Sequence, residues 1–201
     1  FIEYIYCIIM KILVVSPYRG IGDLIFHLPL LRFLKKKYKT KINLITVHNS
    51  KAKFILKGEN LVSKIVYGDF NRQKVLQKVL DLKNEINKFN SDLTVLSASS
   101  KRLKASLFFS NANTKLSFSK SKEKDLSKYI YNETIKKFNL KKLEKNYKLN
   151  SKIVSNKNKK IFLNIDSFHN QNNWGEQNYI NLINKIAINK NKLFINFSPR
   201  N

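Results

Sequence analysis

The chain has 201 residues, 39 of them Lys or Arg and 13 Asp or Glu, so its formal net charge at pH 7 is +26. Hydrophobic residues make up 43% of the sequence, which excludes an intrinsically disordered chain despite the charge. The single cysteine excludes an intramolecular disulfide framework and a cysteine-based zinc site, and it fits a reducing, cytoplasmic compartment. No apolar stretch approaches the ~20 residues that a membrane-spanning helix needs.

The lysine excess has two explanations that the sequence leaves open. Lys, Asn and Ile are all abundant, and all three have AT-rich codons, so codon bias accounts for much of the excess. A strongly basic chain also attracts polyanions such as nucleic acid or an anionic membrane surface. The lysines are scattered, as in 35–37 and 157–160, without the interleaved aromatic residues of a nucleic-acid groove. We therefore expect no nucleic-acid partner.

Strand and helix patterns alternate along the first 150 residues. Residues 11–16 form a continuous apolar run, which predicts a strand buried on both faces. A glycine-containing loop follows at 17–23, and then a helical pattern at 24–38. Pro29 lies inside that pattern and either begins the regular helix or kinks it. Further strands are predicted at 41–47, 64–67, 92–97 and 115–119, and further helices at 50–57, 71–89, 101–109 and 124–140.

A polar segment at 151–160 predicts a linker, after which the strand–helix–strand pattern restarts at 161–201. Alternation of this kind predicts an α/β fold with two Rossmann-like parallel-sheet domains, the second incomplete. We expect residues 10–150 to form the first domain and 161–201 to begin the second. Residues 1–9 precede the first methionine, and we interpret them as an upstream or non-native prefix.

The loop after the first strand carries the strongest candidate for chemistry, the residues Gly20, Gly22 and Asp23. In open parallel sheets ligands bind beyond the carboxyl ends of the strands, and glycines let a ligand approach the backbone. A dinucleotide-binding fingerprint is incomplete, because Ile25 stands where the third glycine is needed. The Asp23 carboxylate either takes a proton from a hydroxyl nucleophile or caps the helix, and spacing alone favours the cap.

Three segments resemble glycosyltransferase family 9, the lipopolysaccharide heptosyltransferases. Residues 11–38 match its opening strand, its loop ending in Gly-Asp and its helix with an early proline. Residues 91–118 match an Asp-led strand, a basic loop, an Ala/Leu-rich helix and a return strand. Residues 159–186 match the first strand and the Trp-led helix of the donor domain, with Trp174 at the start of that helix. The three segments occur in the family's order.

The resemblance implies an inverting enzyme of the two-domain GT-B type. Such an enzyme transfers heptose from an ADP-activated donor to a lipid-linked, anionic lipopolysaccharide core acceptor. The nucleotide-sugar is a substrate, so the resemblance implies no cofactor and no metal. It makes Asp23 the general base for the acceptor hydroxyl. The residues that it places beside the acceptor are Arg19, Gly20, Gly22, Lys101 and Arg102. For Lys101 and Arg102 the alternative, a solvated basic helix start, stays open.

On the donor side the resemblance points to Ser167 and Asn172. Many family members carry Lys or Arg at the position of Asn172, and an amide without charge binds a diphosphate more weakly. This departure keeps a non-catalytic homologue as one alternative, with a basic nucleic-acid-binding α/β protein as another. We expect a cytoplasmic protein in peripheral contact with the inner face of the membrane. Because the family's late donor loop would follow residue 201, we expect no transfer by this chain alone.

Overall fold

The computed structural model describes residues 10–70, 75–149, 160–164, 176–187 and 192–196. The chain divides into two compact units, Phe1–Ser151 and Lys152–Asn201. Each unit is built around parallel strands of its own.

The first unit is a five-stranded parallel sheet. Its strands are β1 (Ile12–Ser16), β2 (Ile42–Thr46), β3 (Val62–Tyr67), β4 (Leu93–Leu96) and β5 (Thr114–Ser117). They lie in the order β3-β2-β1-β4-β5, so β1 is central, with Val14 aligned with Leu44 on one side and Val95 on the other. All five residues of β1 are buried, which explains the continuous apolar run in its sequence. The predicted α/β class with a Rossmann-like parallel sheet is confirmed.

Helices cover both faces of this sheet. They are α1 (Ile21–Phe26), α2 (Leu28–Tyr38), α3 (Ala52–Ile55), α4 (Val75–Asn87), α5 (Lys101–Phe108) and α6 (Leu126–Phe138), with a 3-10 turn at His48–Ser50. On one face Val14 packs with Leu31 of α2 and Ile130 of α6. On the other, Val15 packs with Ile86 of α4 and Leu103 of α5. The loops that follow β1 and β4 therefore emerge together at the carboxyl edge of the sheet.

The helix predicted over 24–38 is two helices that meet at His27. The His27 N–H donates to the Leu24 carbonyl at 3.0 Å and closes α1, while the His27 carbonyl accepts from Leu31 at 3.0 Å and opens α2. Pro29 occupies the first turn of α2, where its missing N–H removes no helical bond. Of the two interpretations of Pro29, the structure supports the one in which it begins the regular helix.

The second unit contains β6 (Lys160–Asn164), α7 (Glu176–Ala187) and β7 (Lys192–Asn196). The two strands are parallel, and Phe162 aligns with Phe194. This is the strand–helix–strand unit that the sequence predicts after residue 160. Lys160, assigned to the linker from its polar surroundings, is instead the first residue of β6. Residues 151–159 of the predicted linker lie outside the described residues.

Among the helices that the structure describes, none is both long enough and apolar enough to cross a membrane.

Candidate active site

Asp23 lies in the first turn of α1, at the carboxyl edge of the sheet beside the end of β1. Its Oδ2 accepts a hydrogen bond from the Gly20 N–H at 2.9 Å. The carboxylate thus reaches back over the start of its own helix, in the manner of the acidic residue of a capping box. The side chain is half-buried, and Oδ1 forms no hydrogen bond within the part of the chain that the structure describes. One oxygen is therefore fixed, and the other remains available to a ligand.

The backbone of Asp23 rests on a buried polar network centred on His27, which is 0% exposed. His27 Nδ1 lies 2.7 Å from the Asp23 carbonyl oxygen, so Nδ1 carries the proton and donates it. His27 Nε2 then accepts, and the Ser97 hydroxyl lies 2.8 Å away. The Ser97 N–H donates to the Val15 carbonyl at 3.0 Å, so Ser97 joins the end of β4 to β1. This network connects the position of Asp23 to the middle of the sheet.

Burial sets the charge state of His27. Removal of the ring from water lowers its pKa from 6.5 to about 4, although the carbonyl and carboxylate of Asp23 both act to raise it. The ring is consequently neutral at physiological pH. The sequence analysis did not assign His27 to the site, and the structure gives it a structural place directly beneath Asp23.

Two tyrosines stand next to the same loop. The Tyr18 ring lies 5.5 Å, centroid to centroid, from the His27 ring. Burial, together with the proximity of Tyr129 and Asp23, raises the pKa of Tyr18 above its usual value. The Tyr129 hydroxyl, on α6, donates to the Ser119 carbonyl at 2.9 Å. Both phenols are therefore neutral, and the Tyr129 hydroxyl is already committed to Ser119.

The predicted basic residues differ in how they are held. Arg19 is exposed in the loop between β1 and α1, and Lys101 is exposed at the first position of α5. Arg102 is half-buried, and its Nη2 donates to the Phe70 carbonyl at 2.9 Å. Arg102 thereby ties α5 to the loop that follows β3. The guanidinium of Arg102 is therefore already engaged with Phe70, and a ligand could use only its remaining N–H groups. Arg19 and Lys101 extend into solvent.

The donor-side predictions, Ser167, Asn172 and Trp174, lie outside the described residues. Within the described ranges, no cluster of three or more His, Cys, Asp or Glu side chains could hold a metal ion.

The sequence analysis missed Tyr18, Ser97 and Tyr129. Ser97 had a usable signal, because it follows β4 directly, and polar residues that end neighbouring parallel strands meet at one edge of the sheet. Tyr18 belongs to the loop that was singled out, yet an aromatic residue there gives no pattern of its own. Tyr129 lies more than a hundred residues from that loop, and no local pattern connects the two.

Comparison with known proteins gives structural matches alone. No family model matches the sequence, and neither does any curated protein. The chain is similar to the glycosyl transferase family 9 protein from Veillonella parvula, with a TM-score of 0.70 at 13% identity over 94% of this chain. It is also similar to the E. coli ADP-heptose lps heptosyltransferase II, with a TM-score of 0.66 at 13% identity over 92% of this chain.

A third similar structure is the E. coli heptosyltransferase WaaC with ADP-2-deoxy-2-fluoro heptose, with a TM-score of 0.62 at 14% identity. The chain spans 63%, 64% and 69% of these three proteins respectively. At such identities the likeness shows a shared fold. The predicted resemblance to glycosyltransferase family 9 is thus confirmed at the level of the fold.

Proposed function

We propose that the protein is an inverting glycosyltransferase in which Asp23 is the general base. The observation that carries this proposal is the placement of Asp23. Its carboxylate stands at the carboxyl edge of a parallel sheet, with Oδ2 held by the Gly20 N–H at 2.9 Å and Oδ1 uncommitted among the described residues. A carboxylate held by one oxygen is oriented for proton abstraction by the other. The fold shared with glycosyltransferases supports the same conclusion.

In the proposed reaction, the acceptor hydroxyl attacks the anomeric carbon of a nucleotide-activated sugar. The hydroxyl proton passes to Asp23 as the new glycosidic bond forms, and the bond from the anomeric carbon to the diphosphate breaks. A single displacement inverts the anomeric centre, so one well-placed carboxylate is sufficient. The donor that we propose is ADP-heptose, and the acceptor is an anionic, lipid-linked core oligosaccharide. The similar structures include an E. coli ADP-heptose lps heptosyltransferase II and an E. coli heptosyltransferase with ADP-2-deoxy-2-fluoro heptose.

The residues proposed to meet the acceptor are Arg19, Gly20, Gly22 and Lys101, with Arg102 beside them. Arg19 and Lys101 are exposed cations, suited to the phosphates of a core oligosaccharide. On the donor side the proposal keeps Ser167 and Asn172. The nucleotide-sugar is a substrate in this scheme, and no cofactor takes part. A cytoplasmic protein at the inner membrane face would meet both substrates there.

The proposal is tested by Asp23→Asn in the full-length protein. An amide oxygen can still accept the Gly20 N–H, so the melting temperature should change little. Release of ADP from ADP-heptose should fall at least about a hundredfold in kcat, since general-base catalysis is worth roughly 10²–10⁴. Asp23→Ala serves as the control, because it loses the base and the capping contact and should also lose about 1 kcal/mol of stability. Near-normal turnover by the asparagine variant would show that Asp23 caps the helix and is not the general base.

Two other functions are separated by simple measurements. A non-catalytic homologue, suggested by Asn172, would bind the lipid-linked acceptor and fail to bind ADP-heptose in calorimetry. A nucleic-acid-binding protein, suggested by the net charge of +26, would show an affinity for RNA or DNA that falls steeply as salt rises. A shallow salt dependence of that affinity would exclude it.

A further inference from the structure

Two adjacent phenylalanines at the end of α5 face the solvent. Phe108 is 72% exposed and Phe109 is 60% exposed. Their rings contact each other edge to face, with centroids 5.2 Å apart. A single exposed aromatic residue is ordinary on a protein surface, but a contiguous pair leaves an apolar patch in water and marks a contact site.

Lysines surround this aromatic pair. Lys101, Lys104 and Phe108 recur at intervals of three and four, so they share one face of α5. Lys115 reaches across from β5, and its Nζ donates to the Phe108 carbonyl at 2.8 Å. These residues line a shallow hollow of about 440 Å³, and none of the described residues that line it is acidic. The patch is therefore apolar at its centre and cationic at its rim.

We propose that this surface, Phe108 and Phe109 with Lys101, Lys104 and Lys115, docks on a membrane rich in anionic lipid. Phenyl rings enter the boundary between headgroups and acyl chains, and lysines around them meet the lipid phosphates. Lysine side chains can lie with their methylene stems along apolar surface while the ammonium group stays at the headgroup level. The arrangement on α5 supplies both components on one side of the molecule.

Other occupants fit this surface less well. Successive bases of a single-stranded nucleic acid stack on exposed ring faces, whereas these two rings lie nearly perpendicular to each other, at an interplanar angle of 83°. Strand addition at the edge of β5 is opposed by Lys115, because a lysine on an edge strand discourages pairing. A third exposed phenylalanine, Phe54, lies on α3, and its neighbour Lys53 is placed over the Tyr67 ring at 5.5 Å.

The proposed surface is distinct from the candidate active site. The helix α5 begins at the carboxyl edge of the sheet, which carries Asp23, and the aromatic pair lies at its other end, where the chain turns back into β5. The membrane test itself uses no transfer activity, so its failure and the failure of the proposed function are distinguishable.

The test is co-sedimentation of the whole chain with vesicles of phosphatidylcholine, alone or with about 30% phosphatidylglycerol, because anionic lipid supplies the electrostatic attraction. We expect binding to the anionic vesicles and release at about 1 M NaCl, where screening shortens to about 3 Å. Replacing both Phe108 and Phe109 with serine should weaken partitioning by about tenfold or more. Replacing both with leucine should retain most of it. The matched control is Phe54→Ser, which should bind like the native chain.

A second pair of variants separates local from diffuse charge, which matters because the net charge is +26. Lys104→Gln with Lys115→Gln should weaken binding to anionic vesicles by about fivefold for each lysine removed. Lys41→Gln with Lys57→Gln removes the same charge from a hollow beside β2 and β3, and it should have a much smaller effect. Circular dichroism melting shows that each variant is folded before it is compared.

Several outcomes would overturn the proposal. If the two lysine double variants lose vesicle binding equally, the binding comes from the diffuse charge of the chain. The same conclusion follows if the Phe108/Phe109 variant and the Phe54 variant lose binding equally. Absence of binding to anionic vesicles would show that this surface is not a membrane-docking site. Displacement from vesicles by a single-stranded oligonucleotide, lost in the Phe108/Phe109 variant, would make the patch a nucleic-acid site. A concentration-dependent dimer abolished by the serine replacements would make it a self-association surface.

Discussion

Gly20, at the end of the loop after β1, and Gly22, in the first turn of α1, precede Asp23, and a methyl group would meet different surroundings at each. A Cβ at Gly20 would lie 3.0 Å from Asp23 Oδ2, so the carboxylate would have to shift by a few tenths of an ångström. A Cβ at Gly22 would meet no heavy atom within 4 Å. A side chain at Gly20 therefore disturbs Asp23, while the space over Gly22 is open to a ligand.

These surroundings predict opposite effects for two alanine substitutions. Gly22→Ala should keep or raise stability, by up to about 1 kcal/mol, because alanine favours a helix over glycine. If the acceptor lies against Gly22, its KM should rise while kcat changes less. Gly20→Ala should displace the carboxylate and lower kcat instead. Steady-state kinetics with a lipid-linked acceptor, alongside thermal melting, would measure both. An unchanged KM for the acceptor in Gly22→Ala would show that the acceptor does not lie against Gly22.

His27 predicts a pH dependence of stability. Its folded-state pKa, about 4, lies below the ordinary value of 6.5, so the unfolded chain binds an extra proton between those values. Stability is then complete above about pH 6.5 and is lost as the pH falls toward 4, by about 3 kcal/mol in total. Urea unfolding at several pH values should show this decline. The dependence of stability on pH should be weaker in His27→Gln, because glutamine does not titrate, although this variant should be less stable than the native chain at every pH.

The comparison of native chain and variant isolates His27, because all other titrating groups are common to both. Parallel stability profiles in the two proteins would mean that His27 already titrates normally in the fold.

The hydrogen-bond network of His27 was not predictable from the sequence. The loop with Asp23 follows from glycine spacing and the general position of ligands in parallel sheets. The His27–Ser97 contact joins residues 70 positions apart, and only the pairing of β1 with β4 brings them together.

At the scale of elements, the apolar periodicity predicted most strands and helices, and its errors have physical causes. The helix predicted over 24–38 carries an unbroken leucine stripe, because Leu24, Leu28, Leu31 and Leu34 are all buried. The break at His27 comes from a side chain that bonds back to Asp23 and from Pro29 beyond it, which the stripe does not reveal. Arg102 was predicted from charge alone, and its bond to Phe70 depends on where the loop after β3 ends.

Arg32 holds α2 to two other parts of the first unit. Its guanidinium donates to Glu59 Oε2 at 2.7 Å, to the Asn146 carbonyl at 2.7 Å and to the Lys148 carbonyl at 2.5 Å. The Glu59 side chain is only 2% exposed. An ion pair with one buried member is costly to break from the exposed side, because the buried Glu59 carboxylate loses the guanidinium that neutralises it.

Arg32→Met should therefore lower the free energy of unfolding by about 3 kcal/mol. The free energy of unfolding of Arg32→Lys should lie between those of the native chain and of Arg32→Met, since one ammonium group cannot make all the hydrogen bonds of the planar guanidinium. The matched control is Lys88→Met, which removes an exposed ion pair with Glu85 and should cost less than about 1 kcal/mol. Urea midpoints at neutral pH would measure all three. Similar losses for Arg32→Met and Lys88→Met would show that the buried pair adds nothing beyond its surface counterpart.

At the scale of the whole molecule, charge is the dominant feature. Even if each of the 13 acidic side chains paired with one basic side chain, 26 of the 39 basic ones would stay without an acidic partner. Self-repulsion of a chain with so large a net charge destabilises its compact state. The basic groups are scattered over many elements, so the repulsion is long-range rather than local, and mobile ions can screen it.

Salt should consequently stabilise this protein. Raising NaCl from about 0.01 M to about 0.15 M shortens the screening length from about 30 Å to about 8 Å, which weakens repulsion between distant lysines while close pairs such as Arg32–Glu59 are affected less. We expect the melting temperature to rise by several degrees over that range and to change little more beyond it. An uncharged osmolyte at matched osmolality is the control and should not reproduce that steep early rise. A melting temperature that falls with added NaCl would mean that favourable ion pairs outweigh the repulsion, and that the excess lysines are held in attractive contacts.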